Sequence, residues 1–87
     1  MRIKEGFMLR EVCGDNIVIP VGENSVDFKS VIKLNETGVL LWKKLEDGAD
    51  EEQLLKAITD VYNVEDEVAL SDIKGFIDRL DEAGILC

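Results

Sequence analysis

The sequence predicts an α+β domain, in which a three-stranded antiparallel sheet is followed by a three-helix bundle. Three observations carry that prediction. Short runs of β-branched and apolar residues, broken by Gly, Asn, Asp and Ser, fill the first third of the chain. From residue 36 onward the apolar residues recur with helical spacing. The two regimes meet abruptly at Leu34-Asn35-Glu36-Thr37-Gly38, followed by Trp42. Asn35 suits a helix N-cap, because its side-chain oxygen takes a backbone N–H that the first turn leaves free. Leu34 and Val39 stand where a hydrophobic staple forms, so the stretch fixes an angle between strand and helix.

Each element has its own signal. Residues 7–12, Phe7-Met8-Leu9-Arg10-Glu11-Val12, read as a first strand. Gly14-Asp15-Asn16 reads as a turn, from residue types that tolerate positive φ. Residues 17–21, Ile17-Val18-Ile19-Pro20-Val21, form a second strand, and Pro20 marks an edge, a bulge or the strand end. The two make a hairpin. Gly22-Glu23-Asn24-Ser25 is a loop, and residues 26–30 fit either a loop or a short extended piece. Residues 31–34 form a third strand, with Ile32 and Leu34 on one face and in the core.

The first helix spans about residues 36–46, with Leu41, Trp42 and Leu45 on its stripe and Gly48 beyond its end. Asp50 caps the second, about residues 51–62, with Gln53 placed for a capping box. Leu54, Leu55, Ile58, Val61 and Tyr62 supply its apolar face. The third, about residues 65–83, opens on Glu65-Asp66-Glu67, which suit the positive end of a helix dipole. Ala69, Ile73, Phe76, Ile77 and Leu80 line its buried face, and Ala83-Gly84 ends it. With no repeat, low-complexity stretch or linker, residues 1–87 read as a single domain.

Size and composition narrow the function. A chain of 87 residues buries only about 60% of its unfolded surface, so the core is thin. A hydrophobic content of 46% is too high for a disordered chain. No apolar run nears the roughly 20 residues of a membrane span, and no signal peptide opens the chain, so the expected compartment is the cytosol. The net charge of −9 is uneven: residues 1–34 balance five basic against five acidic side chains, leaving five against 14 for residues 35–87. A solvated, solubilising surface explains part of that excess. It also repels nucleic acid and favours a basic partner.

Enzyme chemistry is hard to assemble. The chain has no histidine, so there is no Ser–His or Cys–His pair. Cys13 and Cys87 form no CxxC, zinc is not expected, and no cofactor or metal is called for. Two free thiols are favoured over a Cys13–Cys87 disulfide. Glu51-Glu52 and Asp81-Glu82 are adjacent on helices and point apart, as solvated faces do. DNA binding has the right shape, since three helices beside a small sheet resemble a winged helix-turn-helix. Its electrostatics fail: residues 63–87 carry Lys74 and Arg79 against seven acidic side chains.

Peptide or protein binding remains. The third strand is expected at a sheet edge, with unpaired N–H and C=O groups, unless a helix, a loop or a second copy covers it. Gly75 stands in mid-helix, where glycine costs about 1 kcal/mol relative to alanine. It shares a flank with Val68, Asp72 and Arg79; Leu70, Lys74 and Ile77 share the other. A close helix–helix contact inside the fold would explain Gly75 equally well. The sequence leaves open which flank faces the third strand.

The ordered set Phe28, Ile32-Lys33-Leu34-Asn35-Glu36-Thr37-Gly38, Trp42, Leu45 and Gly48 resembles the PqqD family. So do the tail, Asp72-Ile73, Phe76-Ile77, Leu80 and Gly84-Ile85-Leu86, and the opening Gly6-Phe7-x-Leu9-Arg10-Glu11-Val12. The resemblance implies a winged-helix-like recognition element for ribosomally made, post-translationally modified peptides. Such an element is a noncatalytic peptide chaperone. It binds the leader segment of a precursor as an added strand on its third strand, beside its third helix. It presents that peptide to a modifying enzyme, often a radical S-adenosylmethionine maturase, as in pyrroloquinoline quinone biosynthesis. Carried onto this chain, the dock is Val31, Ile32, Lys33 and Leu34 with Leu70, Asp72, Ile73, Lys74 and Ile77. The chain lacks a CxxxCxxC cluster motif, so a maturase is expected in trans or elsewhere in a longer protein. The competing expectation is a winged-helix transcriptional regulator or a protein–protein adaptor. A monomer and a homodimer paired through the sheet edge both fit.

Overall fold

A computed structural model describes residues 1–21 and 32–86. The Gly22–Ser25 loop, the ambiguous 26–30 piece with Phe28, Val31 of the expected dock, and Cys87 lie outside the described residues. Strand β1 (Phe7–Val12) and strand β2 (Asp15–Pro20) form an antiparallel hairpin in which Phe7 pairs with Pro20 and Val12 with Asp15. The turn is not on Gly14-Asp15-Asn16. It is a two-residue loop, Cys13-Gly14, with φ of 52° and 83°. Two successive positive φ angles match the twist of the flanking strands, which is why such tight loops join hairpins. Cys13 is exposed there as a free thiol.

Strand β3 (Ile32–Leu34) pairs antiparallel with β2, through Val18 with Ile32, Ile17 with Lys33 and Asn16 with Leu34. The sheet order β1-β2-β3 puts β2 in the middle and β3 at a margin. Alternation then sorts the side chains: Val18, Ile32 and Leu34 are buried, while Lys33 turns outward to meet Asp15 at 3.1 Å. Both partners of that ion pair are largely exposed, so it adds little to stability.

Helix α1 (Glu36–Glu46) starts where the cap chemistry places it: the Gly38 N–H donates to Asn35 Oδ1 at 2.8 Å. Helix α2 (Glu51–Val61) carries both halves of its capping box. The Gln53 N–H donates to Asp50 Oδ1 at 2.8 Å, and the Asp50 N–H to Gln53 Oε1 at 2.9 Å. Helix α3 (Asp66–Glu82) has no side-chain cap at Glu65. It ends in a reversed turn, with Gly84 at φ 73° and the Ile85 N–H donating to the Leu80 carbonyl, the bonding that satisfies orphan carbonyls at a C-terminus.

The helices and one sheet face enclose the core. Trp42, Leu45, Leu54, Ile73, Leu80 and Ile85 are fully buried within it. Val61 departs from its expected inward face and is 63% exposed; Ala57 is buried instead. Val61 closes α2, and the chain leaves through an extended Tyr62, so the last turn overhangs the packed region. A further tie joins the chain's ends. Ile3 bridges Leu86, the Lys4 N–H donates to the Ile85 carbonyl, and Met1 and Ala49 exchange backbone hydrogen bonds. No residue type in the first six positions signals this.

Candidate functional site

The outer margin of β3 and the start of α1 lie next to each other because Asn35 follows Leu34 directly. Ile32 and Leu34 send their side chains into the core, so toward a guest this strand offers mainly main-chain groups and the exposed Lys33. Among the described residues, no strand pairs with β3 on the side away from β2.

Where β3 gives way to α1, a cleft of about 320 Å³ opens between α1 and α3. Asn35, Thr37, Gly38 and Leu41 form one wall, and Ser71, Asp72, Gly75, Phe76 and Arg79 the other. Leu41 and Phe76 are buried and form an apolar floor; the polar residues and the two charged ones stand at the rim. Gly38 lets these elements approach. A Cβ there would lie 3.3 Å from Leu34 Cβ and 3.4 Å from Phe76 Cε1. Gly75 is the opposite case. A Cβ there would meet no described atom within 4 Å, and its φ is not positive. The close internal contact that would have explained this glycine is therefore absent among the described residues.

One flank of α3 lines the cleft. Asp72, Gly75 and Arg79 line it; Leu70, Lys74 and Ile77 do not. Ile73 is fully buried and presents no surface. Of the helix positions expected at the dock, only Asp72 lines this cleft. The cleft adds Ser71, Gly75, Phe76 and Arg79, of which the Asp72–Gly75–Arg79 spacing was visible in the sequence.

Among the described residues, no group of three or more His, Cys, Asp or Glu side chains is placed to hold a metal ion. No helix of these residues is long and apolar enough to cross a membrane.

Comparison with known proteins adds a family and a fold. A family model described as coenzyme PQQ synthesis protein D (PqqD) matches residues 23–86. No curated protein matches the chain. Two solved structures share its fold. One is TbiB1 in complex with the TbiA(beta) leader peptide, with a TM-score of 0.78 at 20% identity, covering 99% of this chain and 94% of that one. The other is a lasso peptide synthetase B1 complexed with the leader peptide, with a TM-score of 0.74 at 23% identity, covering 97% and 93%. The expected α+β fold, three antiparallel strands followed by three helices, is the fold of both.

Proposed function

Because the chain belongs to the PqqD family, we propose that it is a noncatalytic chaperone for a ribosomally made precursor peptide. It binds the leader segment and presents the peptide to a modifying enzyme. The observation that carries this reading is the placement of β3: a sheet margin with no strand beyond it among the described residues, next to a cleft with an apolar floor. Similar folds were solved with leader peptides in place, which supports the same use here.

In this reading the leader pairs with the main chain along Val31, Ile32, Lys33 and Leu34. Its side chains reach the α3 flank that carries Asp72. A free leader is disordered, and ordering it costs roughly 2–5 kcal/mol, so a preformed dock is an advantage. Main-chain pairing tolerates many sequences, and side-chain pockets select among them. The modifying enzyme is a radical S-adenosylmethionine maturase acting in trans, and the pair works in the cytosol. A DNA-binding regulator is disfavoured, since the exposed surface of α3 carries Asp66, Glu67, Asp72, Asp78, Asp81 and Glu82 against Lys74 and Arg79.

The test is an amide-shift titration of labelled protein with synthetic leaders from short reading frames beside its gene. Shifts in residues 31–34 and along α3 are expected. Shifts confined to α2, or none with any leader, would refute the reading.

A further inference from the structure

We propose that Gly75 is a specificity-determining residue: it leaves open a seat for one bulky apolar side chain of the captured leader. This inference rests on the leader-binding reading and deepens it.

Glycine is, proline aside, the poorest helix former, yet Gly75 lies well inside the 17-residue helix α3. Two internal reasons for a helical glycine are a positive φ and a close neighbour. Gly75 has neither among the described residues. The space a side chain would fill belongs to the cleft, and the floor beside it is Phe76 and Leu41, both buried. A glycine that no described neighbour requires, facing a cavity with an apolar floor, is explained by an occupant of that cavity.

The surroundings set the occupant's chemistry. An apolar cavity of about 150 Å³ holds benzene; this cleft has about 320 Å³. A phenyl or branched aliphatic side chain fits with room for the peptide backbone. Asp72 and Arg79 flank the seat about one helical turn to either side, with opposite signs. The rim therefore adds no net charge, and the seat reads size and apolarity. Long-range attraction is left to the acidic surface of the helical half.

The experiment uses a phage-displayed library of random linear peptides, selected on the wild-type protein. Enriched peptides are synthesised with a fluorophore and titrated by anisotropy against wild type, Gly75→Ala and Gly75→Leu. Ala and Leu are better helix formers than Gly, so neither variant should melt below wild type, and lost binding is then not lost folding. The enriched peptides should share one bulky apolar position. Gly75→Leu should weaken them roughly tenfold to a hundredfold, as overfilling a packed site does. Replacing that peptide residue by Ala should weaken binding to wild type but change binding to Gly75→Leu little, because both changes empty or fill the same space. Peptides that shift the β3 amides yet bind wild type and Gly75→Leu equally would overturn the seat and leave the leader reading standing. If no peptide enriches, or those that do shift only amides remote from β3, the leader reading falls and takes the seat with it.

Discussion

The two helical glycines beside the cleft should respond to the same mutation with opposite signs. In Gly38→Ala the new methyl would lie 3.2 Å from Asn35 Oδ1, 3.3 Å from Leu34 Cβ and 3.4 Å from Phe76 Cε1. Relaxed carbon contacts sit at about 3.5–4.0 Å, so Leu34 Cβ is too close, Asn35 Oδ1 is tight, and Phe76 Cε1 stands at the edge of ordinary contact. Leu34 Cβ is fixed to the strand backbone and cannot swing away. Asn35 Oδ1 holds the cap hydrogen bond to the Gly38 N–H at 2.8 Å, so pushing it weakens the helix start. Overpacking costs about 1–3 kcal/mol, and a damaged cap adds about 0.5–1 kcal/mol. Against this stands at most about 1 kcal/mol of helix propensity. The net expectation is a loss of about 0.5–3 kcal/mol. In a domain of this size that lowers the melting midpoint by roughly 2–25 °C. Gly75→Ala meets nothing within 4 Å and should gain about 0.5–1 kcal/mol, raising the midpoint by a few degrees. Circular-dichroism melts of the three proteins at equal concentration read both signs. A Gly38→Ala protein that melts at or above wild type would refute the packing argument, as would two variants that shift together.

Further outcomes follow from other parts of the molecule. Asp50→Ala removes one half of the capping box and leaves the first turn of α2 with an unsatisfied N–H; a loss of about 1 kcal/mol is expected in urea unfolding, and an unchanged midpoint would mean the cap is idle. Alternate residues of β3 turn their N–H groups away from β2, so a bound leader should slow hydrogen exchange at those outward amides and leave α2 unaffected. A leader rich in Lys or Arg should bind more weakly as salt shortens the Debye length from about 30 Å at 0.01 M to about 3 Å at 1 M. Tight binding of a strongly acidic leader, insensitive to salt, would contradict the role given to the acidic helices.

The parts of the fold that sequence reveals are those written in local chemistry. Asn35 and Asp50 mark helix starts because capping is a contact between near neighbours, and the structure contains both bonds. Ile32 and Leu34 read as core because a strand alternates. The hairpin is legible, but its turn reads one residue late, since nothing about a cysteine announces the positive φ of Cys13. Val61 follows the helical period and still lies outside, because periodicity does not say where a helix outruns its neighbours. At the site, the β3 margin follows from two strands pairing as a hairpin. The flank of α3 beside it does not, because a helical wheel offers both sides equally. The approach of Phe76 to Gly38, which no local pattern announces, is what sets Asp72, Gly75 and Arg79 along the cleft.

The bridge between Ile3 and Leu86 has a kinetic meaning. It joins opposite extremes of the chain, and such a closure gives nothing back until the intervening elements have found their places. Closing last, such a bridge would act as a latch on the folded state. Substituting Ile3 by Ala should leave the refolding arm of a chevron plot almost unmoved and steepen the rate of escape from the native state. What the latch governs is how long each molecule stays folded, and with it how long a captured guest can be held without interruption.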